Sequence, residues 1–113
     1  MLITFKSKAA AEVIMYAEHA RMLLDLVGKP FEPADTPRGV ITPEQLPGAV
    51  AALRAATVRA APEDERAIHA FEHMSEQGEP PPSRPVSLAQ RAWPLLHMLE
   101  LAERQQVPVT WGV

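Results

Sequence analysis

The spacing of apolar positions changes period several times along the chain, and each change predicts an element. Residues 2–6 (LITFK) alternate and are rich in β-formers, which predicts a first strand. Over residues 9–27 the pattern is mixed. Tyr16, Ala20, Leu23, Leu24 and Val27 recur at helical spacing. Gly28 then supplies a left-handed cap and Pro30 a stop. The opening of this stretch, Glu12-Val13-Ile14-Met15-Tyr16, reads either as a second strand in a hairpin with the first or as the start of one long helix. Its Val, Ile and Tyr content favours the strand.

Residues 31–38, with prolines at 30, 33 and 37, read as a loop, and Gly39-Val40-Ile41 as a short strand. Thr42-Pro43-Glu44-Gln45 is a helix start. Thr42 can cap, Pro43 suits the first helical position, and Gln45 completes a capping box. This helix carries Leu46, Ala49, Val50, Leu53 and Thr57 on one face, and Pro47 loosens its first turn. Ala61-Pro62-Glu63 predicts a helix restart. A separate polar helix follows over 63–77, with Ile68 and Phe71 as its apolar anchors.

Residues 78–85 (GEPPPSRP) read as a proline-rich linker, and the PxxP spacing of Pro82 and Pro85 reads as a spacer. Ser87-Leu88-Ala89-Gln90 is a second capping box, opening a last helix with a core stripe of Leu88, Ala92, Leu95, Leu99 and Ala102. Pro94 predicts a kink in it. Residues 107–111 predict a closing strand, and the apolar run to Val113 predicts an end tucked into the sheet.

These elements predict an α+β fold: a small two-layer domain whose short sheet is built from strands near both termini and packs against three to four helices. Residues 1–113 form a single domain, with 61–85 (the polar helix and the Pro-rich linker) as a mobile appendage. Composition narrows the chemistry. The chain has 113 residues, 47% of them apolar and only 5% aromatic, so the core is aliphatic. Cysteine is absent, which excludes disulfides, thiolate nucleophiles and cysteine-based metal sites, and fits a cytoplasmic location. Net charge is −3 and the basic residues are scattered, which argues against nucleic acid as a partner. There is neither an apolar run of roughly 20 residues nor a signal-peptide pattern, which argues against membrane insertion.

Four blocks carry a resemblance: LITFKSKA at 2–9, GVITPEQL at 39–46, SLAQRAWPLLHML at 87–99 and VTWGV at 109–113. In this order they resemble the bacterial domain-of-unknown-function family 1840. The segment Arg91-Ala92-Trp93-Pro94 and the ending Trp111-Gly112-Val113 are its most specific parts, and residues 60–85 match poorly. The resemblance implies a single-domain soluble protein of proteobacterial type and brings no catalytic role with it.

Three constellations are candidates for function. On the last helix Trp93, His97, Glu100 and Arg104 share a face roughly opposite the core stripe. A tryptophan among an acid, a base and a histidine suits a contact surface, to which Trp111 at the end of the closing strand can add. Alternatively the helix is sandwiched, with Trp93 packed under the linker or the polar helix. His69-Ala70-Phe71-Glu72-His73 spells H-x-x-E-H, so both imidazoles can face one metal with Glu72 beside them. Zinc is the ion to expect there, with a buried His97 or His19 as third ligand. A peptidase would need a further ligand and a cleft, and two solvated histidines explain the same spelling. Lys6 and Lys8 flank Ser7, but no Gly-rich loop accompanies them, and a solvated lysine pair is the default. No nucleophile–base pattern points to an enzyme. The resulting expectation is a non-enzymatic binding or homo-oligomeric interaction module, acting through a protein partner or self-association, with metal binding at His69 and His73 as the alternative.

Overall fold

Alternation at the start of the chain builds a hairpin. Strand β1 (Leu2–Ser7) pairs antiparallel with β2 (Ala10–Tyr16), setting Leu2 opposite Tyr16, Thr4 opposite Ile14 and Phe5 opposite Val13. Lys8 and Ala9 make the turn, and the Ala9 N–H donates to Ser7 Oγ at 3.2 Å. Neither turn residue has positive φ, so the turn lacks the mirror-image twist that matches flanking strands. The mismatch is taken up where the register shifts between Phe5 and Ser7, leaving Ala11 and Glu12 together opposite Lys6. The strand alternative for residues 12–16 is therefore the one that forms. β2 runs directly into helix α1 (Ala17–Leu26), which buries Ala20, Leu23 and Leu24. Gly28, at φ 80°, closes it: the Gly28 and Lys29 N–H groups donate to the Asp25 and Leu24 carbonyls at 3.1 and 2.8 Å. Tyr16, which also falls at helical spacing with Ala20 and Leu23, is the last strand residue and is 63% exposed.

The computed structural model describes residues 2–29, 38–76 and 87–112, without the side chains of 71 and 73–76. Most of the expected loop after Pro30, the linker at 78–85 and the Phe71 anchor lie outside the described residues. Strands β3 (Gly39–Ile41) and β4 (Val109–Trp111) complete an antiparallel sheet in the order β2-β1-β4-β3. The strands nearest the two termini thus lie side by side. Ile3, Phe5, Ile41, Val109 and Trp111 point inward and are buried. The Trp111 ring packs 5.7 Å from Phe5 at a 49° tilt and lies across Gly39, its partner in register. A Cβ at Gly39 would sit 2.6 and 2.8 Å from two atoms of that indole and closer still to a third. Gly39→Ala is therefore expected to lower stability by about 1–3 kcal/mol through overpacking, read as a lower urea midpoint at unchanged slope.

Of the remaining helices, α3 (Leu88–Gln105) packs on the sheet, and α2 (Leu46–Glu76) packs against α3 and α1 and adds Leu46, Val50 and Leu53 to the same core. Before α2, the Thr42 carbonyl accepts from Gln45 and Leu46 at 2.9 and 3.1 Å, and the Thr42 N–H donates to Gln45 Oε1 at 3.1 Å. Regular helix begins at Leu46, so Pro47 falls in the first turn, where a missing N–H costs little. Pro62 does not restart the helix. α2 runs through it unbroken, and the separate polar helix expected after Pro62 is its continuation. A helix-interior proline costs about 3 kcal/mol, but Ala55, Ala56, Ala60 and Ala61 just before it are strong helix formers. Packing of α2 on α3 adds support.

α3 opens with both arms of its capping box made: Gln90 N–H to Ser87 Oγ at 3.0 Å, and Ser87 N–H to Gln90 Oε1 at 3.1 Å. A third donor, the Leu88 N–H, reaches Asp64 Oδ2 of α2 at 3.0 Å. The carboxylate also lies at the positive end of the α3 dipole. Asp64→Ala is expected to cost about 1 kcal/mol, as loss of a cap does, and Asp64→Asn less; thermal melts measure both. Pro94 likewise sits inside α3, which buries Ala92 before it and Leu95, Met98, Leu99 and Ala102 after it.

Candidate protein-contact site

Period 3.6 on α3 separates two surfaces. The buried stripe faces the sheet and α2, and Trp93 and His97 stand on the opposite side, four residues apart. Trp93 is 61% exposed. Its ring lies flat on the imidazole of His97, with centroids 5.0 Å apart and planes 6° apart. Trp93 is therefore not packed under any described element, and His97 is exposed, so it is not the buried third metal ligand considered above. Beside the pair, residues 10–13 of β2 and Trp93, Pro94, His97 and Leu101 of α3 line a groove of about 320 Å³. β2 is an edge strand, so this groove runs along a strand margin that no described strand pairs with.

The other members expected on this surface are placed differently. Glu100 turns toward α2, where its Oε1 accepts from Arg54 Nη2 at 2.7 Å and from Nε at 3.2 Å. It clasps two helices, and helix-wheel spacing could not show this because Arg54 is 46 residues away. Arg104 is exposed in the last turn of α3, where its charge complements the carbonyl end of the helix. Trp111 is not a surface residue at all. It is 2% exposed and belongs to the core beside Phe5. Its indole N–H is buried with no hydrogen-bond partner among the described residues, a penalty that burial of the ring offsets.

The histidine motif lies on α2. His69 and Glu72 are exposed there, and the His73 side chain is outside the described residues. His19 is elsewhere, edge-on to Tyr16 with ring centroids 6.2 Å apart. Among the described residues no group of three or more His, Cys, Asp or Glu is placed to hold a metal ion. Lys6, Ser7 and Lys8 border a shallow concavity of about 490 Å³ with Val107, Pro108 and Thr110. Glu12 shares its rim, so the lysines do not form an unopposed cationic site.

Sequence reasoning missed the outward face of the sheet. Leu2, Ile14, Tyr16 and Val40 all point to that side and are 58%, 59%, 63% and 39% exposed. Among the described residues no helix is long and apolar enough to cross a membrane.

The pattern of one family, Domain of unknown function (DUF1840), matches residues 1–111 of the chain. The chain belongs to that family. The match spans every element described above, so the hairpin, α3 with its exposed Trp93, and β4 are all parts of this DUF1840 domain. No curated protein and no solved structure matches it. Membership in DUF1840 names no ligand or reaction, and the functional reading rests on the geometry of this chain.

Proposed function

We propose that this chain is a non-enzymatic interaction module that engages a protein partner through Trp93, His97 and the adjoining margin of β2. The observation that carries this reading is the exposed Trp93 stacked on His97 at the lip of the groove. Tryptophan is over-represented among residues that dominate binding energy, and a large ring left in water gains the most when a partner covers it. Stacking holds the indole in one orientation before binding, which lowers the entropy lost on contact. The edge of β2 offers backbone groups to an extended segment, and the groove accepts its side chains, as in strand addition.

The module works inside the cytoplasm, with neither nucleic acid nor membrane as partner. The test compares the immobilised wild-type protein with Trp93→Ala in extracts of the cells that make it. The wild type retains a partner that the variant loses; equal retention by both would contradict the reading.

A further inference from the structure

We propose that the open face of the sheet pairs two copies of this chain, with β1 of one lying over β2 of the other. This proposal does not rest on the Trp93 surface. The outward positions of the hairpin form three rows: Leu2 beside Tyr16, Thr4 beside Ile14, and Lys6 beside Glu12 across the register shift. A solvated face of an antiparallel sheet ordinarily carries polar residues. Here Leu2, Ile14 and Tyr16 adjoin one another and are each more than half exposed, and the one charged row closes the patch at its far end.

The arrangement is self-complementary under one operation. A two-fold axis between the facing sheets, parallel to the strands and midway between β1 and β2, exchanges the strands and keeps each row at its own height. Leu2 then meets Tyr16 of the second copy, Thr4 meets Ile14, and Lys6 meets Glu12. Each pair occurs twice, as an isologous interface requires. Aligned packing of two sheets keeps strand directions within about 30°, so pairs near the axis stay in contact. An axis across the strands would set Lys6 over Leu2 and bury a charge against an apolar side chain. Charge complementarity therefore selects both the occupant, a second copy, and its orientation.

The experiment is sedimentation equilibrium on the full chain, with circular dichroism confirming that each variant is folded. The wild type is expected to be a dimer at about 100 μM, in line with a small interface. Lys6→Glu sets two acids face to face, and Glu12→Lys sets two lysines face to face; each is expected to weaken the dimer at least ~10-fold. The double variant Lys6→Glu/Glu12→Lys restores the opposite charges and returns the affinity to within about 3-fold of wild type. Ile14→Ser removes the apolar centre and leaves a monomer. Trp93→Ala still dimerises, so failure here and failure of the Trp93 reading are distinguishable. A monomeric wild type, a dimer indifferent to either single charge reversal, or a double variant that stays as weak as the singles would overturn the proposal.

Discussion

Phe5→Ala is expected to destabilise the protein by about 3–5 kcal/mol, which is the range for truncating a buried phenylalanine. Phe5 is fully buried on a central strand and pairs in register with Val13 on one side and Trp111 on the other. Its ring is also the inward neighbour of the Trp111 indole, at 5.7 Å. Few aromatics share this load, because only 5% of the chain is aromatic. The void would open where β1, β2 and β4 meet and where α3 packs, so the surroundings have little freedom to collapse into it. Against a total stability of about 5–15 kcal/mol, such a loss removes much of the margin. A domain of this size shifts by about 4–8 °C per kcal/mol, so the melting temperature is expected to fall by about 12–40 °C. A fall of only a few degrees would show that the Phe5–Trp111 contact does not anchor the sheet.

Trp93→Ala is expected to do the reverse: large on binding and small on folding. Truncation at an aromatic hot spot costs about 2 kcal/mol or more, so partner affinity should fall at least ~30-fold. Trp93 is 61% exposed, and its described ring contact is with His97, itself on the surface, so stability should stay within about 0.5 kcal/mol of wild type. Calorimetric or surface-based titration of the captured partner measures the first quantity, and a thermal melt the second. A variant that unfolds would show Trp93 to be a packing residue, and one that binds unchanged would show that its exposure has no functional use.

The contrast between the two tryptophans shows what was legible in the sequence. Period 3.6 placed Trp93 off the core stripe of α3, and the structure puts it on the surface. Period 2 held the equivalent signal for Trp111. Val109 and Trp111 share one face of β4 and Thr110 takes the other, so a strand with Val109 inward carries Trp111 inward too. The α+β architecture, with strands near both termini and helices on one face, was legible because capping boxes and alternation are local. The placement of Glu100 and the charge row of Lys6 and Glu12 were not, because each depends on a partner in another element or on a register shift. Pro62 misled for a related reason: a local breaker was outweighed by its alanine-rich flank and by packing against α3. Tyr16 fits both helical spacing and the favoured strand over 12–16, and strand pairing with Leu2 decides where it points.

The claim that the Trp93 and His97 surface contacts a protein partner is tested most directly by photo-cross-linking in the cells that make the protein. A photo-reactive amino acid replaces His97 in one variant and Val58, an exposed apolar position on α2, in another. The account predicts a discrete cross-linked protein from position 97 and none from position 58. No product at 97, or the same product from both positions, would contradict it.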